Sequence, residues 1–157
     1  MRAPGAHEWR AVRAVRLAML ADPSDAFGHG PEVEAVLPEE HWRALAEEWA
    51  SEDRALRVAQ TPDGAWAGVM GCRLRAHGPE LTWVWVDPAH RGGPVTDALL
   101  AAIEDWARQR GDALHLVVFT DVPRAVSAYL RRGFAVVGDP VPAGETGRHD
   151  WIMRKPL

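Results

Sequence analysis

The chain has 157 residues, 47% of them hydrophobic and 25% charged, which suits a soluble globular protein with one core and excludes a disordered one. A net charge of −4 excludes a general nucleic-acid binder, which needs a basic face. No apolar run reaches the roughly 18 residues that a membrane span requires, and Met1 to Gly5 lacks the apolar core of a signal peptide. Cys72 is the only cysteine, so no internal disulfide forms and a reducing, cytoplasmic compartment is expected. It lies in the apolar run Val69-Met70-Gly71-Cys72, which marks a buried structural thiol.

No repeat or linker divides the chain, so residues 1–157 read as one domain. Trp9, Val12, Val15, Met19 and Leu20 recur at helical spacing, and Asp22-Pro23-Ser24-Asp25 stops that helix. Ala26 to Leu37 is punctuated by Gly and Pro and reads as a loop. Pro38-Glu39-Glu40 opens a second helix, whose Trp42, Leu45, Ala46 and Trp49 share one face. Leu56 to Ala59 is a short strand, Pro62-Asp63-Gly64 a turn, and Ala65 to Arg75 the hairpin partner. After a turn at His77-Gly78-Pro79, Glu80 to Val86 is rich in β-branched and aromatic residues and reads as a strand. Asp87 to Gly93 is a loop, and Pro94 at a first helical position opens a helix that Gly111 ends. Leu114 to Phe119, apolar but for His115, reads as a strand covered on both faces. Val122 to Arg132 is a helix closed by Gly133, followed by strands at Phe134 to Gly138 and Asp150 to Arg154 with a Pro/Gly loop between them. The order implies an α/β protein with a mixed sheet.

The chemistry concentrates where the strand 80–86 meets the turn Arg91-Gly92-Gly93 and the following helix. A glycine turn that opens a helix after a strand exposes backbone N–H groups to an anion, and the helix dipole adds to the attraction. A pyrophosphate is the natural guest. The turn carries neither the P-loop nor the dinucleotide-binding fingerprint. Downstream, Ala125 and Tyr129 lie one turn apart on a helix face that ends at Gly133-Phe134.

Together, Arg91-Gly92-Gly93-Pro94-Val95-Thr96 and Ala125-x-x-x-Tyr129-x-x-x-Gly133-Phe134 resemble the GNAT acetyltransferase superfamily. Trp85-Val86-Asp87-Pro88, the stretch Val12 to Leu20 and Asp25-Ala26-Phe27-Gly28 also look like its bacterial members. The resemblance implies the GNAT fold, a mixed sheet of six to seven strands flanked by about four helices. It implies acetyl-CoA as cosubstrate, held by Val84, Trp85, Val86, Arg91, Gly92, Gly93, Pro94, Val95, Thr96, Val122 and Ala125. It further implies direct attack of a small-molecule or peptide amine on the thioester, with no nucleic acid or membrane involved and a homodimer as the assembly the family often adopts. Backbone N–H groups around Trp85 and Val86 would steady the oxyanion if the strand bulges and parts from its neighbour. Tyr129 matches the general acid, and Glu80 a common position of the general base, acting through water; its alternative is a solvated strand-end carboxylate.

Three positions depart from the family pattern. Pro94 replaces a glycine and offers no N–H, Thr96 stands where Gly or Ala is usual, and Val122 replaces an asparagine. These departures support a second reading, a GNAT domain that binds CoA as a sensor without turnover. Glu32 and Glu34 read as solvated loop carboxylates at the border of the acceptor site, and His90 as an exposed neighbour of the phosphate turn. The seven histidines show no metal-ligand spacing. Most of the eight tryptophans read as core, with Trp83 and Trp85 on one sheet face and Val84 on the other.

Overall fold

The computed structural model describes residues 1–22 and 29–157. The helices are α1 (Trp9–Leu20), α2 (Glu32–Ala35), α3 (Glu39–Trp49), α4 (Val95–Ala107) and α5 (Pro123–Leu130). The strands are β1 (Arg54–Gln60), β2 (Trp66–Arg75), β3 (Gly78–Val86), β4 (Ala113–Phe119), β5 (Ala135–Val136), β6 (Val141–Pro142) and β7 (His149–Pro156). They form one seven-stranded sheet in the order β1-β2-β3-β4-β7-β5, with β6 also pairing β7. All the pairings are antiparallel except β3 with β4, which is parallel.

Each face of the sheet is covered by its own helices. Trp9, Val12, Val15 and Met19 of α1 and Trp42, Ala46 and Trp49 of α3 cluster with Leu56, Val58, Val69, Trp83 and Trp85 on one face. Leu99, Leu100, Ile103 and Ala107 of α4 cover the other, with Met70, Cys72, Leu81, Leu116 and Met153 beneath them. Trp83 and Trp85 therefore share one face while Val84 packs on the opposite one, as the alternation in sequence requires. Cys72 is fully buried in the α4 core, and burial pushes its thiol up to about 12, so it stays protonated and inert.

Four expectations change. The loop expected over 26–37 contains the one-turn helix α2, and its first residues, like Pro23 to Asp25 and the Asp25-Ala26-Phe27-Gly28 stretch, lie outside the described residues. Pro94 is the residue before α4 rather than its first helical residue. The Pro/Gly loop after Gly138 contributes β6, too short for any periodicity and tolerant of Pro142 because it lies at the edge. Finally, β4 is not covered on both faces along its length. Leu114 and Leu116 are buried, but Val117 is 49% exposed. Helices α1 and α3 cover β1 to β3 and leave the same face of β4 and β7 open, where Val117 stands opposite Ile152.

Gly71 of β2 lies directly beneath Trp49; a Cβ there would come within 2.7 Å of the indole. Gly71→Ala should lower the unfolding free energy by about 1–3 kcal/mol through overpacking, read as an earlier urea midpoint at unchanged slope. An unchanged midpoint would show that Trp49 does not press on β2.

Candidate active site

The site begins with one extra residue in β3. Val69 of β2 stands opposite Trp85, and Gly71 opposite Thr82, so two residues of β2 advance against three of β3. The surplus is absorbed at Trp83, whose φ of +52° makes it the one non-glycine residue with positive φ among those described. That is a β-bulge, which bends a strand and re-aims its backbone. On the other side, β3 pairs with β4 only at Glu80–His115 and Leu81–Leu116. Beyond Leu81 the two strands part, and a wedge opens in the middle of the sheet.

The backbone of β3 supplies polar groups to that wedge. Successive residues in a strand direct their N–H and C=O to opposite edges. Asp87 N–H donates to Ala67 of β2, so Val86, and two residues earlier Val84, face the gap, while Trp85 turns its backbone to β2. The expected donor set around Trp85 and Val86 thus narrows to Val86 with Val84.

The turn after β3 is held from below. Asp87 opens it by accepting from Ala89 N–H at 2.8 Å. Arg91 Nε donates to Val86 O at 2.8 Å, and its guanidinium also donates to the Asp22 carboxylate at the end of α1. The Asp22 carboxylate also accepts from Trp85 Nε1 at 3.2 Å, and its side chain is only 3% exposed. Arg91 is therefore a brace, and Asp22 joins α1, β3 and the turn at one point. Sequence reasoning missed Asp22. It looked like a helix stop, and nothing links it in sequence to an arginine 69 residues away.

Above the brace, Gly92, Gly93 and Pro94 are exposed. Gly92 has a φ of +75°, and a Cβ there would meet nothing within 4 Å, so the turn is shaped for approach from outside. Val95 and Thr96 follow, half-buried in the first turn of α4, where backbone N–H groups have no helical partner. Asp97 would oppose an anion at this end, but Arg132 Nε holds its carboxylate at 2.7 Å. His90 is exposed beside the turn, 3.8 Å from Asp87.

A protein-family model described as the acetyltransferase (GNAT) family matches residues 18–134. The chain belongs to the GNAT acetyltransferase family. The structure agrees in fold with a GCN5-related N-acetyltransferase from Kribbella flavida at 23% identity and TM-score 0.74, covering 99% of this chain and 96% of that one. A ribosomal-protein-alanine N-acetyltransferase from Brucella melitensis superposes at 19% identity and TM-score 0.77, over 99% and 98% of the two chains. A GNAT phosphinothricin acetyltransferase from Sinorhizobium meliloti, solved with AcCoA, does so at 20% identity and TM-score 0.75, over 99% and 86%. No functionally curated protein matches the chain.

Within this GNAT fold the two candidate catalytic side chains come from opposite faces of the sheet. Tyr129 of α5 packs against the α4 core, edge-on to Phe134 with ring centroids 5.6 Å apart. Burial pushes its phenol up to about 12. The turn that follows α5 is fixed by Gly133, whose φ is +87°, and by Phe134 N–H bonding back to Tyr129 O at 3.2 Å. Val122 precedes α5 as a buried cap without a side-chain hydrogen bond, and Ala125 is half-buried one turn before Tyr129. Glu80 lies at the apex of the wedge on the α1/α3 face, held by Arg75 at 3.3 Å and His77 at 3.2 Å. Glu34, expected to be a solvated loop carboxylate, is instead paired with Arg16 at 2.6 Å and His29 at 3.0 Å; Arg16 holds its carboxyl below the ordinary range against the cost of burial. Glu32 of α2 is exposed.

Asp22→Ala should leave Arg91 and Trp85 Nε1 without their acceptor. We expect a loss of about 1–3 kcal/mol, the usual cost of stranding a buried partner of a charged hydrogen bond, together with weaker coenzyme A binding in calorimetry. Loss of stability with unaltered CoA affinity would show that the brace does not shape the turn.

Proposed function

We propose that this chain is one GNAT domain over residues 1–157 that transfers an acetyl group from acetyl-CoA to a primary amine of a small molecule or peptide, in the cytoplasm. The observation that carries this reading is the wedge: a bulge at Trp83 and a parted β3/β4 pair above an open Gly92-Gly93 turn. These are the features a pyrophosphate with a long, uncharged arm would need.

When bound, acetyl-CoA supplies a thioester whose carbonyl carbon bonds the amine nitrogen as its C–S bond breaks, giving an amide and the free thiol. The N–H groups of Val95 and Thr96 and the Gly92-Gly93 turn would hold the pyrophosphate, with Pro94 contributing shape but no donor. Backbone groups of Val84 and Val86 would line the arm and steady charge on the acyl oxygen. Val122 and Ala125 would border the arm from the α5 side. Glu80 would take the amine proton through a water.

Tyr129 fits the role of donor to the leaving sulfur. Its hydroxyl makes no hydrogen bond among the described residues, so it is available to the thiolate. With its phenol up near 12, it is protonated at every working pH. An ordinary thiol ionises near 8.5, so full proton transfer from this phenol is uphill, and a strong hydrogen bond to the departing thiolate is its main contribution.

Tyr129→Phe should lower turnover by about 10²-fold, within the span of acid–base contributions, with little change in coenzyme A affinity; thiol release against a panel of amines tests this, and full activity would remove the assignment. Because the active form is the protonated one and is lost only as pH rises through about 12, the pH–rate profile should show no falling limb near pH 10, the ordinary phenol value. A limb centred there would place Tyr129 in water. Pro94→Gly should leave CoA affinity equal or better by up to about 1 kcal/mol, one restored hydrogen bond; markedly weaker binding would mean the proline preorganises the turn. CoA binding without thiol release from any amine would favour the sensor reading.

A further inference from the structure

On the α1/α3 face, four arginines act on one another near the start of β3. Arg54 and Arg73 stand directly opposite on β1 and β2, Arg75 follows two residues on, and Arg16 reaches in from α1. Three are matched by acids. Arg16 holds Glu34 at 2.6 Å, Arg54 holds Glu48 at 2.6 Å, and Arg75 reaches Glu80 at 3.3 Å. Arg73 has no hydrogen bond or ion pair among the described residues. Its Nε is a buried donor with no acceptor, and among the described residues the other buried side-chain polar atom in that state is Nε1 of Trp49, the indole over which Arg73 lies at 5.1 Å.

That arrangement is costly. Burial disfavours the charge of Arg73, and Arg54, Arg75 and Arg16 add repulsion that Glu48 only partly offsets. A half-buried guanidinium normally secures a carboxylate. Here Nε is buried and the guanidinium lies over Trp49, while the two terminal nitrogens are not fully buried. A planar fork with its outer donors open is preorganised for a carboxylate.

The position relates the fork to the wedge. Trp49 bridges Arg73 to Trp83, with ring centroids 5.1 Å apart, and Trp83 is the bulge residue where β3 opens. Arg16 lies over Trp83 from the other side at 5.0 Å. Arg73 also stands across from Glu80 in the β2–β3 register. A molecule on this face with its amine near Glu80 would therefore have its far end beside Arg73. We propose that Arg73 is the anion subsite of the acceptor cleft and that the acceptor amine carries a carboxylate, as an amino acid or short peptide does. The neighbouring Glu48 and Glu80 disfavour a doubly charged phosphate. The proposal rests on the acetyl-transfer reading for the amine end only.

The test compares free amino acids and dipeptides with their C-terminal carboxamides as acceptors for wild type, Arg73→Gln and Arg73→Lys. At least one free acid should exceed its amide in kcat/KM by about tenfold, the size of one charge-assisted hydrogen bond. Arg73→Gln should bring that ratio near one through KM with coenzyme A affinity unchanged, and Arg73→Lys should keep part of it, which also guards against misfolding of the glutamine variant. Amides used as well as acids throughout, or a ratio that survives in Arg73→Gln, overturns the proposal. If no amine in the panel, polyamines included, releases thiol, the acetyl-transfer reading fails instead. The subsite is then decided by calorimetric titration of the CoA-bound protein with the same acids: binding present in wild type and lost in Arg73→Gln upholds it, and no binding overturns it.

Discussion

A sheet has no room for a substrate, because every backbone group between paired strands is already committed. One extra residue in β3 changes this. The bulge at Trp83 turns the strand so that it pairs with β4 at two positions and then leaves it. A non-glycine residue in the left-handed region costs about 1–2 kcal/mol, and a glycine would avoid that cost. What a glycine could not do is place an indole between Trp49 at 5.1 Å and the guanidinium of Arg16 at 5.0 Å. The strain at the opening is offset by the aromatic and cationic packing beneath it, so the wedge and the α1/α3 core stabilise each other.

The same economy governs the turn. In the family pattern Arg91 looks like a ligand group, yet here its guanidinium is spent on Val86 O and Asp22. Its contribution is shape. The bonds that Asp22 accepts from Arg91 and Trp85 fix α1 to the glycine turn and to the strand end, below the backbone that would meet an anion. Asp97, the one acid in the first turn of α4, is neutralised by Arg132 from beyond α5. An anion site at this helix start therefore depends on residues from both ends of the chain.

Much of this was legible in the sequence, for identifiable reasons. The helices α1, α3 and α4 announce themselves because each buries one stripe, and β3 because Trp83, Val84 and Trp85 alternate between two cores. The candidate site segment stands out in the sequence because glycine and proline punctuation is local. What escaped was set by contacts between distant residues. Leu114 to Phe119 is apolar but for His115, yet whether a strand is covered depends on how far α1 and α3 extend over the sheet, and they stop at β3. A two-residue strand such as β6 exists only because β7 offers it an edge. Glu34 read as solvated because Arg16, on a different element, could not be placed beside it. Asp22 is the clearest case, since its carboxylate holds partners 63 and 69 residues away.

The two faces of the sheet now divide the work. On the α4/α5 side, Tyr129 and Val84 pack against one apolar core, and the backbone of β3 and the start of α4 supply the donors. On the α1/α3 side the wedge meets tryptophans, arginines and glutamates, and side chains rather than backbone decide what fits. In that cluster each acid cancels a particular arginine, so the balance of charge is local and leaves its remainder at Arg73. A net charge of −4 over the whole chain gives no hint of it. If Arg73 is the anion subsite that we propose, electrostatic selection of the acceptor rests on one guanidinium across from Glu80, and it would change by a single substitution on β2 without disturbing the face that would hold the cofactor.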